Sequence, residues 1–112
     1  MKLFNIRDLY QEKYREYIVG SADTGKQSVY LVYGEAAGNE KRNMAPGGHD
    51  EILFLLSGEA LLENGERSIT LRQEQAVFMN PDESFTFTAL TDCRYVVAGT
   101  HTIPHEHQHA VE

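Results

Sequence analysis

At 112 residues, with 41% hydrophobic and 24% charged content and a mean hydropathy of -0.45, the chain is long enough to bury one core and too apolar to stay disordered. Its net charge of -7 repels polyanions at long range, which sets aside nucleic acid and anionic membrane surfaces as partners. No apolar run reaches signal-peptide or membrane-spanning length, and Cys93 has no second cysteine to pair with, so a cytoplasmic location is expected.

Taken in chain order, Asn5 is a candidate N-cap with Asp8 three residues on, and Ile6, Leu9, Tyr10 and Lys13 follow helical spacing, which predicts a short helix over 5–13. Tyr14 to Val19 turns Tyr-rich and β-branched and reads as a strand; Ala22 to Gly25 is a turn, and Ser28 to Tyr33 the returning strand. The six tyrosines, five of them before Gly34, are expected as barrel residues with hydroxyls at the rim. Gly34 to Gly48 mixes Gly, Ala, Asn, Lys and Pro without periodicity and is predicted to be a loop.

The stretch from Gly47 to Glu66 organises the rest. His49 and Glu51 project from one strand face, followed there by Leu53 and Leu55, while Ile52, Phe54 and Leu56 take the other face. A strand apolar on both sides is interior to a barrel or sandwich. Gly58 breaks the run, Ala60 to Leu62 resumes it, and Asn64-Gly65 predicts a type I′ hairpin into Ser68 to Leu71. Ala76 to Met79, Phe85 to Leu90 and Arg94 to Gly99 complete the strands, separated by turns at 73–75, 80–83 and 91–92. Short strands at this spacing, with no helix between them, indicate an all-β antiparallel barrel or sandwich. Cys93, entering an apolar run, reads as a small packed side chain rather than a nucleophile. There is no phosphate-binding Gly loop, paired-Cys motif or Gly-x-Ser-x-Gly elbow.

Glu51, six residues and then Gly58, followed by Glu59 and Leu61, resembles the end of the first cupin motif, G-x5-H-x-H-x3/4-E-x6-G, and Gly38 fits its opening. The motif histidines fall on Met44 and Pro46, or on Ala45 and Gly47 with the shorter spacing. The second motif, G-x5-P-x-G-x2-H-x3-N, aligns on Glu74 to Ala89, where its His becomes Phe85. The resemblance covers roughly 28–100. It implies a double-stranded β-helix, or jelly-roll barrel, with its core at about 28–100; the chain itself reads as one domain over 1–112, with the helix and first strand at 5–20 and a His-rich tail at 101–112. It also implies a divalent metal, held in cupin enzymes by three His and one carboxylate, and here only Glu51 matches that set.

Two readings of function follow. In the first, the domain is a small-molecule-binding or regulatory module with no metal cofactor. Its pocket is floored by His49 and Glu51 and walled by Leu53, Phe85 and Phe87. An acid in an apolar run needs a partner, because burying it alone costs several kcal/mol or raises its pKa above about 4.3. His49 is the partner expected. In the second, the chain is a metal-dependent enzyme of isomerase or dioxygenase type that uses His49 and Glu51 with His101 and His105 of the tail. A third reading is a dimerisation scaffold. Strands apolar on both faces also predict a homodimer, because the outside of the barrel needs cover.

Overall fold

The computed structural model describes residues 1–11 and 15–100; for Tyr10 and Gln11 it describes the backbone alone. Among the described residues ten strands run as β1 (Tyr10–Gln11), β2 (Glu16–Val19), β3 (Tyr30–Ala36), β4 (Lys41–Met44), β5 (Asp50–Ser57), β6 (Glu59–Glu63), β7 (Ser68–Arg72), β8 (Ala76–Met79), β9 (Phe85–Ala89) and β10 (Cys93–Thr100). They form a six-stranded sheet in the order β1-β2-β3-β10-β5-β8 and a four-stranded sheet in the order β4-β9-β6-β7. Every strand pair is antiparallel. The two sheets share one core, in which Val32, Leu53 and Leu55 of the large sheet meet Ala60, Leu62 and Phe87 of the small one. Each fully buried side chain of this size contributes about 1.5–3 kcal/mol relative to exposure. Among the described residues no helix is long and apolar enough to cross a membrane.

The predicted helix over 5–13 is a single 3₁₀ turn, Ile6–Asp8, capped by Asn5, whose side chain accepts from the Arg7 N–H at 3.4 Å. None of its residues is buried, so a longer helix would have no face to dock, and pairing with β2 extends the chain instead. The turn at 22–25 is a short helical one, α1 (Ser21–Thr24), closed by Gly25 in the left-handed region. The predicted loop over 34–48 is corrected: it holds the end of β3 and all of β4. In β4 the inward residues are Arg42 and Met44, and a buried arginine hides the period-two pattern. The type I′ hairpin is corrected as well. Of Asn64 and Gly65 only the glycine has a positive φ, and the connection spans 64–67 because the Asn64 side-chain oxygen accepts from the Glu66 and Arg67 N–H groups at 3.2 and 2.9 Å.

Candidate functional site

β5 turns Glu51 inward, and His49 lies just before the strand; the two are 2% and 1% exposed. What joins them is Tyr30, 3% exposed, from β3. The register places Tyr30, Gly99 and Glu51 in one row across β3, β10 and β5. Because Gly99 has no side chain, the Tyr30 ring lies over β10, where a Cβ would collide with its far end. The hydroxyl thereby reaches past a whole strand and donates to Oε2 of Glu51. His49 Nδ1 lies 3.0 Å from the Tyr30 hydroxyl oxygen, with the two rings edge to face at 5.4 Å between centroids. Since the single hydroxyl proton goes to the carboxylate, the His49 contact is assigned as Nδ1–H donating to Tyr30. Burial first, and the Glu51 hydrogen bond and charge next, push the Tyr30 phenol far above its ordinary range, so it is a proton donor throughout the physiological pH range.

A second cluster repeats the device in the opposite direction. Tyr95 of β10 lies over Gly34 of β3, where a Cβ would collide with its ring, and donates to Oε2 of Glu16 on β2. Arg42 crosses from the small sheet, donating to the Tyr95 hydroxyl at 2.8 Å and to the Glu35 carbonyl at 2.6 Å. Glu16, Arg42 and Tyr95 are 0%, 2% and 0% exposed, and the Phe87 ring packs 5.2 Å from that of Tyr95. Burial and the nearby Glu16 charge drive the Tyr95 phenol well above the usual value, against the opposing effect of Arg42. The two tyrosines with rim hydroxyls expected from the sequence are thus buried polar ties. Tyr17 also differs, being covered on the outer face by Arg7, which donates to its hydroxyl at 2.9 Å and pairs with Glu35 at 2.5 Å.

The interior is reached from the side. β7 and β8 are the free edges of their sheets, joined by the turn at 73–75 but not paired with each other. Away from that turn they leave a cleft of about 110 Å³ with an apolar floor that includes Ile69, Val77 and Phe85. Val77 is the register partner of Leu53, and Met79 that of Glu51, so this wall of the cleft stands one strand in front of the Tyr30–His49–Glu51 cluster.

No protein-family model matches the chain, and no curated protein matches it in sequence. Its shape is shared more widely. A Cupin 2 conserved barrel domain protein from Salinispora arenicola superposes with a TM-score of 0.74 at 11% identity, over 91% of this chain and 88% of that one. The fold is a cupin fold. Ectoine synthase from P. lautus matches 89% of the chain, and 78% of its own length, with a TM-score of 0.73 at 13% identity. A putative ethanolamine utilization protein Q from Salmonella typhimurium matches over 80% and 72%, with a TM-score of 0.62 at 18% identity.

The metal that the cupin motifs imply does not fit the residues at hand. Met44, 1% exposed, and Phe85 are register partners on β4 and β9, packed in or against the core. Pro46 is buried, and the Glu51 carboxylate is engaged by Tyr30. A phenyl ring and a proline ligate nothing, and a thioether is a soft donor unsuited to a hard divalent ion. Among the described residues no three His, Cys, Asp or Glu lie together as metal donors. His101 and His105 lie outside the described residues. Of the five residues assigned to a ligand pocket by sequence, His49 and Glu51 come together through Tyr30, and Leu53 and Phe87 are fully buried in the core, Phe87 beside Tyr95. Phe85 alone lines the cleft. Tyr30, Glu16, Arg42 and Tyr95 were not singled out from the sequence. Their signal is Gly34 and Gly99, each at an inward position inside a strand.

Proposed function

We propose that this cupin domain binds a small organic molecule, as a sensing or regulatory module, without a metal at the positions the family motifs mark. The observation that carries the reading is the cleft between β7 and β8, where the apolar side chains of Ile69, Val77 and Phe85 meet the polar ones of Asn64, Arg67, Asn80 and Glu83, the mixed lining that small-molecule sites use. The buried Tyr30–His49–Glu51 cluster stands behind the adjoining strand, tied by hydrogen bonds, which favours a preformed site over one assembled on binding. Free Cys93, buried with its thiol raised by burial, suits the reducing cytoplasm.

The test uses protein purified without a metal-affinity column. Amide NMR against a library of small acids, amines and alcohols is expected to give saturable shifts centred on Ile69, Val77 and Phe85, lost in Val77→Trp, which fills the cleft. Absence of any saturable shift would overturn the reading. Elemental analysis covers the competing enzyme reading: stoichiometric metal that disappears in Glu51→Ala would establish a metal site built on Glu51 and remove the metal-free assignment.

A further inference from the structure

The rim of the cleft is polar in two different ways. On the β6–β7 loop, the Asn64 side-chain oxygen is already taken by the Glu66 and Arg67 N–H groups, so what Asn64 has left to offer is its amide N–H₂. Arg67 follows on the same loop, and among the described residues its guanidinium forms no ion pair. This side therefore presents donors and a positive charge. Across the cleft, on the turn between β8 and β9, Glu83 Oε1 accepts from the Asn80 backbone N–H and side-chain amide, each at 2.9 Å. That pairing fixes both side chains and leaves Asn80 its carbonyl oxygen and Glu83 its second carboxylate oxygen, so this side presents acceptors and a negative charge. Between the two lie the apolar side chains of Ile69, Val77 and Phe85, in a cleft of about 110 Å³.

From this we infer the class of ligand: a small branched or ring-bearing carboxylic acid that also carries a hydrogen-bond donor, a hydroxy or amino acid with an apolar side chain. Arg67 takes the carboxylate in the paired geometry that a guanidinium offers, helped by the Asn64 amide. Glu83 and Asn80 take the hydroxyl or ammonium, and the apolar body sits on Ile69, Val77 and Phe85. The inference rests on the cleft being the binding site and adds what the site selects. A molecule lacking the carboxylate leaves Arg67 without its partner, and one lacking the donor leaves Glu83 without its own.

The experiment compares three probes on the full chain by amide NMR titration: leucine, its hydroxy-acid analogue, and isohexanol as the matched compound with no carboxylate. At least one of the two acids is expected to saturate with a Kd on the order of 1 mM or tighter, shifting the amides of 64–67 and 80–83, with isohexanol at least about tenfold weaker. Arg67→Gln is expected to weaken the acid about tenfold while leaving isohexanol unchanged, and Arg67→Lys to restore part of the loss. If the acids and isohexanol bind equally well, or all bind regardless of Arg67→Gln but are lost in Val77→Trp, the carboxylate selection is wrong and the cleft remains a binding site. If isohexanol alone binds, the selection is likewise wrong. If no probe gives a saturable shift, the assigned ligand class falls, and the library screen decides whether the cleft falls with it.

Discussion

Tyr30 carries one hydroxyl proton and meets two partners, so substitutions around it separate a hydrogen bond from a charge. Tyr30→Phe keeps the ring over Gly99 but removes the donor from a buried carboxylate, and a loss of about 1–3 kcal/mol is expected in urea denaturation at neutral pH. Glu51→Gln keeps an acceptor for the hydroxyl and should cost less than Tyr30→Phe; the reverse order would mean that the Glu51 charge contributes more than the Tyr30 hydrogen bond. The pH dependence has a definite sign. Tyr30 and Tyr95 both have folded pKa values raised above the unfolded value of about 10, so their contribution is fully present below pH 10 and declines as pH rises above it. Each lowers stability by about 1.4 kcal/mol per pH unit there, and Tyr30→Phe should remove its share of the slope between pH 10 and 11. An unchanged slope would show that the Tyr30 phenol ionises in the folded state. That Glu51 shares a strand face with Leu53 and Leu55 was legible from its spacing; which face turns inward was not, because both faces are apolar. Nor was the Tyr30 partner of Glu51, because the row joining Tyr30 to Glu51 depends on the register of two non-neighbouring stretches of chain.

At the level of the strand, Gly34 and Gly99 are where β3 and β10 let a tyrosine of the neighbouring strand lie flat across them. Glycine weakens a strand by its own propensity, so alanine at an unconstrained position would be neutral or stabilising. Gly99→Ala is instead expected to destabilise by about 1–3 kcal/mol, because its methyl collides with the Tyr30 ring. The control is a double variant: Gly99→Ala should cost little in a Tyr30→Val background, where no ring crosses β10, but as much as before in Tyr30→Phe. Equal cost in all three backgrounds would locate the effect in the backbone. β4 shows the converse of a legible strand. Its inward position 42 is an arginine tied to Tyr95 and the Glu35 carbonyl, so composition suggested a loop where cross-sheet hydrogen bonds made a strand. Strands whose inward positions are all apolar, such as β8 over Ala76 to Met79, were placed from sequence to the residue.

For the molecule as a whole, the outer face of the large sheet decides how it exists in solution. Val19, Leu31, Ala98, Ile52 and Phe78 are successive register partners across β2, β3, β10, β5 and β8, an apolar row spanning the sheet. Leu31, Ile52 and Phe78 are 37%, 48% and 52% exposed, and Val29 beside them is 53% exposed. Phe54, Leu56 and Val96 continue the same face, half-buried. Arg7 covers the end that carries Tyr17 and Tyr33, and among the described residues the β5–β8 side stays exposed at Ile52 and Phe78. Monomeric proteins rarely expose contiguous apolar patches beyond a few hundred Å². We propose that a second copy covers this face, in an isologous two-fold dimer: the row itself carries no charge, so two copies bury none by stacking their rows. Sedimentation at micromolar concentration should show a species of about twice 12.7 kDa, and Ile52→Asp with Phe78→Asp should return it to 12.7 kDa with the barrel still folded. Each copy brings a net charge of -7, and salt shortens the range of that repulsion to about 10 Å at 0.1 M, so association should tighten as ionic strength rises. An interface held by ion pairs would weaken instead. A wild-type species of 12.7 kDa across the whole salt range would leave the face uncovered and the proposed dimer wrong.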